Sequence, residues 1–184
     1  MALLKSTRTL LRISVAALSL GLQADSAEPP ALNEYQVKAV FLLNFAKFVE
    51  WPQQAFHDAM DPVTICVLGN NPFGSLLDET VQGQSISGHP VRTRVISDSR
   101  QAGQCQVVFI TGAERRRIRA CLDDLKGSSI LTVGESEDFL SLGGIANFTL
   151  SDQRVHFEIA AETAVQRKLQ ISSKLLSLAD RHHK

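Results

Sequence analysis

The chain has 184 residues, 44% of them hydrophobic, with 19 basic and 19 acidic side chains and a formal net charge of zero. A neutral chain without a long basic stripe lacks the electrostatic signature of a protein that binds nucleic acid or an acidic membrane. The short run Arg115, Arg116 and Arg117 is the exception, and a solvated helix face accounts for it. The three cysteines include no C-x-x-C pair, which argues against a zinc ribbon or a thioredoxin-type site.

The first 24 residues have the pattern of a signal peptide. Basic residues at positions 5, 8 and 12 precede an apolar run over 13–22, and small residues follow at 24 and 27. This run is too short to span a bilayer. We therefore expect 1–24 to be a signal peptide, 25–32 to form an extended lead-in with two adjacent prolines, and 33–180 to form a single α/β domain.

The apolar spacing predicts a first helix over 34–49, with Asn33 as its N-cap and Trp51-Pro52 after its end. Three phenylalanines, Phe41, Phe45 and Phe48, add to its aliphatic stripe. The helix therefore has more large apolar groups than one buried face requires. Either it packs on two sides, or part of it faces a partner.

The middle of the chain alternates between strands and helices. Helices are predicted from Pro72 to about Val81 and over 114–126. The predicted strands are 63–69, 91–96, 105–111 and 130–133, of which 91–96 alternates like an edge strand with one wet face. This order favours a mainly parallel sheet covered by helices on both faces.

The pattern changes after Gly143-Gly144. Two alternating runs, 145–150 and 154–159, are separated by Ser-Asp-Gln and predict an antiparallel hairpin. A final helix is predicted over 161–179, and one helical turn over 136–142. The predicted fold class is α/β: a mainly parallel sheet with helices on both faces, ending in an antiparallel hairpin and a C-terminal helix.

The sequence contains no recognisable catalytic or metal-binding set. It has no G-x-S-x-G and no H-E-x-x-H motif, and its histidines are isolated or lie in a polar tail. A small-ligand site has more support, because two strands end in glycine-containing turns and ligands gather at the carboxyl ends of parallel strands. We predict Asn70, Thr111 and Arg115 as ligand-binding residues for an anion, although ordinary tight turns explain the glycines equally well. No cofactor is expected.

Several segments form a distinctive set that covers nearly all of the chain after the predicted signal peptide. The most distinctive is YQVKAVFLLNFAKFVEWP at 35–52. The others are ICVLG at 65–69, LTVG at 131–134, GGI at 143–145 followed by Phe148, RVHFEI at 154–159 and ISSKLLSLA at 171–179. Together, and in this order, these segments resemble the YfiR-like family of periplasmic regulators.

The resemblance implies a periplasmic, non-enzymatic protein that binds the periplasmic region of an inner-membrane diguanylate cyclase and represses cyclic di-GMP synthesis. It also implies an OmpA-like outer-membrane lipoprotein that captures the repressor, and a homodimer. The alternative from the residues is a periplasmic protein that senses a small anion or nucleotide and acts on another membrane partner.

The resemblance also implies roles for particular residues. The family pairs cysteines at positions corresponding to Cys66 and Cys105, although two buried free thiols remain the alternative. Glu158 matches a motif position, and strand alternation places it on one side with Arg154 and His156 as a partner-binding surface. A surface salt bridge is the other interpretation of Glu158. Two departures from the family pattern, Ala160 and the Arg-Lys pair at 167–168, leave the surface near the last helix open.

Overall fold

The computed structural model describes residues 30–58, 60–112 and 114–180. The predicted signal peptide and residues 25–29 lie outside the described residues. Within the described ranges, no helix is both long and apolar enough to cross a membrane. The predicted α/β class is confirmed: helices cover both faces of a seven-stranded, mainly parallel sheet, and an antiparallel hairpin lies at one end of it.

The first helix, α1, spans Pro30–Phe48 and begins three residues before the predicted N-cap, so the end of the predicted lead-in is helical. Phe45 is fully buried, while Phe41 and Phe48 are partly buried and pack against the same core. The core interpretation therefore accounts for all three rings. Val37 and Val40, which also lie in α1, remain exposed.

The main sheet consists of seven strands in the order β3-β4-β2-β5-β6-β7-β8. The central strands β2, β5 and β6 are buried along their lengths, as their continuous apolar runs predict. The strand bounds are β2 Val63–Leu68, β3 Ser85–Ile86, β4 His89–Ile96, β5 Val107–Ile110, β6 Leu131–Gly134, β7 Ala146–Ser151 and β8 Arg154–Ile159. A separate pair is formed by β1 Val49–Glu50 and β9 Gln170–Ile171.

The predicted edge character of residues 91–96 is confirmed. The short β3 pairs with β4 only at His89 and Pro90, so the rest of that edge has no strand partner in the described part of the chain. Arg92 and Arg94 are exposed there. Charged side chains on an edge strand discourage unwanted pairing with other sheets.

Two hydrophobic clusters lie on opposite faces of the sheet. One packs α1 and the helix α2, Leu76–Val81, against the strands. The other contains Cys66, Cys105 and the buried side chains of helix α3, Arg115–Asp124. The turns that replace the predicted helical turn at 136–142 also pack here, and the Phe139 ring lies between Gly134 and Gly144. A Cβ at either glycine would come within about 2.2 Å of that ring, so both positions require glycine.

The hairpin is confirmed, with Ser151 opposite Arg154 and Ala146 opposite Ile159. Its turn residues Asp152 and Gln153 both have positive φ, 50° and 60°, as a tight two-residue hairpin turn requires.

The single helix predicted over 161–179 is wrong in its length. Two short helices, α4 Ala161–Gln166 and α5 Ser173–Leu176, flank β9. The chain reverses at Lys168, where φ is 59°, and the buried Arg167 donates to the Leu125 and Gly143 carbonyls at 3.2 and 2.9 Å. The Ser172 side chain then caps α5 by accepting from the Leu175 amide. The apolar spacing of this segment suited a helix, but tertiary contacts prevent one continuous helix.

Candidate functional site

The side of the hairpin that faces away from α1 carries the predicted partner-binding residues. Val155, Phe157 and Ile159 pack into the core with α1, which places the alternate side chains of β8 on the opposite side. Thr149 lies opposite His156, and Asn147 lies opposite Glu158. We call the resulting surface the hairpin face; it consists of Asn147, Thr149, Arg154, His156 and Glu158.

The structure thus brings the three predicted residues to one side of the sheet's last strand. Arg154 is exposed, and His156 and Glu158 are partly buried. Asp180 adds a further acidic group beside these residues, which sequence reasoning missed. The Asp180 carboxylate lies 3.1 Å from Nδ1 of His156, and the Asp180 amide donates to the Phe157 carbonyl at 2.8 Å. Glu158 and Asp180 form an isolated parallel bridge.

Asn147 is a member of the hairpin face that sequence reasoning missed. Its side chain is only 2% exposed, and its Oδ1 atom has no hydrogen-bond partner among the described residues. A buried acceptor without a partner is uncommon and destabilising. The available signal was a polar residue within the apolar run Ile-Ala-Asn-Phe.

A second candidate site is a cleft at the carboxyl ends of β2 and β5. The chain runs from β2 to β4 on one side and returns to β5 on the other, so a crevice forms where the strand order reverses. The cleft encloses about 270 Å³. Its walls are Leu68, Gly69, Asn70, Ser97, Asp98, Ser99, Ile110, Thr111, Gly112, Arg117 and Cys121.

Two of the three predicted ligand-binding residues, Asn70 and Thr111, line this cleft. Arg115 does not: its guanidinium pairs with Asp138 outside the cleft, and the arginine that lines the cleft is Arg117. Arg115 and Arg117 are two residues apart on α3, so their side chains point in nearly opposite directions. The run of three arginines in the sequence does not show which of them faces the cleft. Thr111 Oγ1 donates to the Leu68 carbonyl at 3.1 Å, and the Ser99 hydroxyl donates to Asp124 at 2.5 Å.

The three cysteines lie together near this cleft. Cys66 and Cys105 form a disulfide with a Cα–Cα distance of 5.9 Å, as the family resemblance implies. Cys121 is a free, partly buried thiol that packs against the same cluster and lines the cleft. Burial raises the pKa of Cys121, and the nearby Arg117 partly opposes this rise. The thiol is therefore protonated and poorly reactive at neutral pH.

A buried ion cluster fastens α1 to the end of β6. The Lys38 ammonium is 2.7 Å from Glu135 and also pairs with Glu34, and the Tyr35 hydroxyl lies 3.3 Å from the Glu135 carboxylate. Burial lowers the pKa of Lys38, but hydrogen bonds to Glu135 and Glu34 outweigh it, and the pKa is raised. Burial and the Glu135 charge raise the pKa of Tyr35. These groups satisfy one another, so we assign them a structural role.

Among the described residues, no group of three or more His, Cys, Asp or Glu side chains is arranged to hold a metal ion. The chemistry available at both candidate sites is recognition: charged and polar groups on the hairpin face, and hydroxyls, the Arg117 guanidinium and the Asp98 carboxylate in the cleft. Asp98 pairs with Arg100.

Comparisons with known proteins agree with this architecture. A solved structure described as an ABC domain in complex with L-Trp from Streptococcus pneumonia has a TM-score of 0.50 and 10% sequence identity. The match covers 83% of this chain and 60% of that chain, and at this identity it shows a shared fold alone. A family model described as YfiR/HmsC-like matches residues 35–180. Because that match covers most of the sequence, the chain belongs to the YfiR/HmsC-like family, whose members are periplasmic regulators of cyclic di-GMP signalling.

Proposed function

We propose that this protein is a periplasmic repressor that binds the periplasmic region of an inner-membrane diguanylate cyclase and lowers cyclic di-GMP synthesis. It acts by binding and performs no reaction. The hairpin face is the docking surface, and Arg154, His156 and Glu158 are its charged recognition residues.

The observation that carries this proposal is the hairpin face itself, in a chain of this family. Its three charged side chains lie on the last strand of the sheet, where no further strand of the described chain covers them. Partly exposed charges beside a buried polar group are suited to partner recognition, because charge complementarity sets partner choice and association rate.

Repression follows from a difference in affinity. If the cyclase's periplasmic region has an active and an inactive arrangement, a protein that binds the inactive one more tightly shifts the population toward it. Each factor of ten in relative affinity corresponds to about 1.4 kcal/mol.

Two further parts of the proposal concern other partners. An OmpA-like outer-membrane lipoprotein captures the repressor and so releases the cyclase. The protein is also proposed to form a homodimer, which sedimentation of the exported protein measures directly. A single monomeric species at micromolar concentration contradicts the dimer and leaves the cyclase proposal standing.

Cellular cyclic di-GMP tests the central proposal. We expect its concentration to rise when the gene is deleted, and the rise to disappear when the target cyclase is deleted as well. No rise in a strain shown to express the protein contradicts repression.

Glu158→Lys tests the docking surface. We expect at least about a tenfold loss of affinity for the cyclase's periplasmic region, since charge reversal opposes a complementary surface. Asp123→Lys is the matched control: it makes the same kind of change at an exposed position on α3, outside the hairpin face. Equal affinities of the two variants, measured by calorimetry with unchanged thermal stability, remove Glu158 from the proposal.

The cleft supports a second candidate, a sensor of a small anion or nucleotide. Three hydroxyl side chains, from Ser97, Ser99 and Thr111, and the Arg117 guanidinium line it, and it lies where ligands bind in open parallel sheets. Thermal shifts with inorganic phosphate, guanosine monophosphate and L-tryptophan test this, the last because the structural neighbour was solved with it. A ligand that raises the unfolding temperature of the natural protein and of Arg119→Gln, but not of Arg117→Gln, supports the sensor. An unfolding temperature that does not change at millimolar ligand contradicts it.

A further inference from the structure

We propose that the outer edge of β8 is a strand-docking site, and that the chain's own C-terminal segment partly occupies it. We call residues 177–180 the C-terminal strap. The incoming partner segment is extended, places acidic side chains beside His156 and Arg154, and displaces the strap; a basic group elsewhere on the same partner meets Glu158. This inference deepens the proposed function, on which its choice of partner rests, by naming how the partner is bound.

The first step is that β8 has a free edge. It is the last strand in the sheet, with β7 on its inner side. The Phe157 carbonyl points outward to the strap, so the alternation of the ladder places the backbone groups of Val155 on the same outer edge. No strand of the described chain pairs with β8 there. Such an edge is a template for an added strand.

The second step is the chemistry of the group already there. Asp180 satisfies a main-chain acceptor of β8 through its amide and reaches His156 through its carboxylate. The bridge to Glu158 is parallel, so the strap runs in the direction of β8. The chain itself thus shows what this edge accepts at one position: a backbone amide with an acidic side chain beside His156.

The third step predicts a second acidic position in the partner. Side chains on one face of a strand repeat every two residues. Consider a partner segment in which one residue takes the place of Asp180. The residue two positions before it then lies on the same face of the segment, closer to Arg154 by one strand repeat. The strap itself is not extended there, because residues 177 and 178 form a turn in which the Leu178 amide donates to the Leu175 carbonyl at 3.1 Å. Leu178 therefore does not occupy this strand position, and Arg154 is exposed. A partner segment with the pattern acidic-x-acidic supplies a carboxylate that the strap lacks.

The fourth step is that the strap is easily displaced. Leu176, Ser177, Leu178 and Asp180 are exposed, and the contacts of the strap with β8 are the Asp180 amide on the Phe157 carbonyl and the Asp180 carboxylate near His156, whose side chains are 54% and 38% exposed. The buried Leu175 holds α5 in place upstream. Ala179 is partly buried against the core, so release of the strap exposes this small apolar side chain and leaves the buried core residues in place.

A peptide experiment tests the site without the cyclase. The protein is truncated after Ser177, and a labelled peptide of residues 176–184 is added in trans. We expect the peptide to bind the truncated protein about tenfold more tightly than the full chain, in which the strap competes. An Asp180→Asn peptide should bind the truncated protein about threefold to tenfold more weakly. Equal binding of both peptides, or no binding at millimolar concentration, overturns the proposal.

The same assay tests the second acidic position. A Leu178→Asp peptide should bind about threefold to tenfold more tightly than the natural one, and this gain should vanish on Arg154→Gln protein but persist on the control Arg119→Gln. If the Leu178→Asp peptide binds more tightly to the truncated natural protein and to both of its variants, the second acidic position does not meet Arg154. Dimerisation of the truncated protein without peptide binding assigns the edge to a second copy and also overturns the proposal.

If truncation prevents folding, judged by near-ultraviolet circular dichroism, full-length Asp180→Asn takes its place. We expect faster hydrogen exchange at the β8 amides on its outer edge and tighter binding of the Leu178→Asp peptide. If hydrogen exchange at these β8 amides and binding of the peptide are both the same as in the natural protein, the strap does not occupy this edge.

The cyclase's periplasmic region then separates the two proposals. If the cyclase's periplasmic region binds and the Leu178→Asp peptide displaces it, both edge docking and the proposed function are supported. Cyclase binding without competition overturns edge docking but preserves the proposed function. Peptide binding with no cyclase binding removes the cyclase as the partner and leaves the strand-docking site established.

Discussion

The cleft and the hairpin face differ in how their polar groups are satisfied. In the cleft, Thr111 and Ser99 donate to neighbouring protein groups, and the Cys66–Cys105 disulfide lies in the cluster that supports it. On the hairpin face, Asn147 has a buried oxygen without a partner in the described part, and His156 meets Asp180 near the surface. The cleft thus lies in a part of the sheet whose polar groups are satisfied internally, whereas the hairpin face, which we propose as the docking surface, leaves a buried acceptor unsatisfied.

The largest expected effect comes from removing the disulfide on the rigid side. The cysteines are 39 residues apart in sequence, and a crosslink of this span contributes about 4 kcal/mol in the chain-entropy model. We expect Cys66→Ala with Cys105→Ala to lower the free energy of unfolding by about 3 to 4 kcal/mol in denaturant titrations. Cys121→Ala is the control and should cost about 1 kcal/mol. Equal losses would refute a special contribution from the crosslink.

The ion cluster at Lys38 gives the next largest effect. Lys38→Met leaves Glu34 and Glu135 without their cation, which should cost about 2 kcal/mol at pH 7, less than for a fully buried pair because both carboxylates are partly exposed.

The same cluster predicts a pH dependence. The pKa values of Lys38 and Tyr35 are raised above their ordinary values of 10.5 and 10.0. The folded state then holds protons that the unfolded state releases, so stability is present below about pH 10 and is lost as pH rises through the folded-state pKa values. Between pH 9.5 and 11.5 the free energy of unfolding should fall less in Lys38→Met than in the natural protein. Equal slopes of the free energy of unfolding against pH in the two proteins would contradict the assignment of this pH dependence to the ion cluster.

Asn147→Leu sharpens the comparison on the hairpin side. Replacing an unpartnered buried amide by an apolar group of similar size should raise stability by about 1 kcal/mol. If the hairpin face exists for recognition, the same variant should bind the cyclase's periplasmic region more weakly. Higher stability with unchanged affinity would mean that Asn147 has no role in recognition; thermal unfolding measures the stability and calorimetry measures the affinity.

The smallest effect concerns Cys121. Because burial raises its pKa, alkylation of the native protein by iodoacetamide at pH 7.5 should be slower than alkylation of the unfolded chain. Arg117 favours the thiolate, so Arg117→Gln should slow the native rate further, by about twofold, whereas Arg119→Gln should not. A faster rate in Arg117→Gln would show that this guanidinium shields the thiol.

The parts of the fold that follow from local pattern were predictable. Continuous apolar runs identified β2, β5 and β6, and the turn Asp152-Gln153 between alternating runs identified the hairpin. The site was predictable where it depends on these patterns: strand alternation placed Arg154, His156 and Glu158 together, and the strand ends placed Asn70 and Thr111 near one cleft.

Other features required contacts between distant parts of the chain. The arginine that lines the cleft is Arg117, because Arg115 pairs with Asp138. Lys38 is buried because Glu135, 97 residues away, meets it. The predicted last helix divides because Arg167 reaches the Leu125 and Gly143 carbonyls and β9 pairs with β1.

The sequence by itself determined the α/β class, the order of its main strands and helices, and the motifs that place it among YfiR/HmsC-like proteins, because hydrophobic period and turn residues act over a few neighbouring positions. Only the tertiary structure decided that Asp180 lies against His156 and that Asn147 is buried opposite Glu158. Those contacts depend on where the sheet ends and where the last residues pack, and no local pattern encodes either.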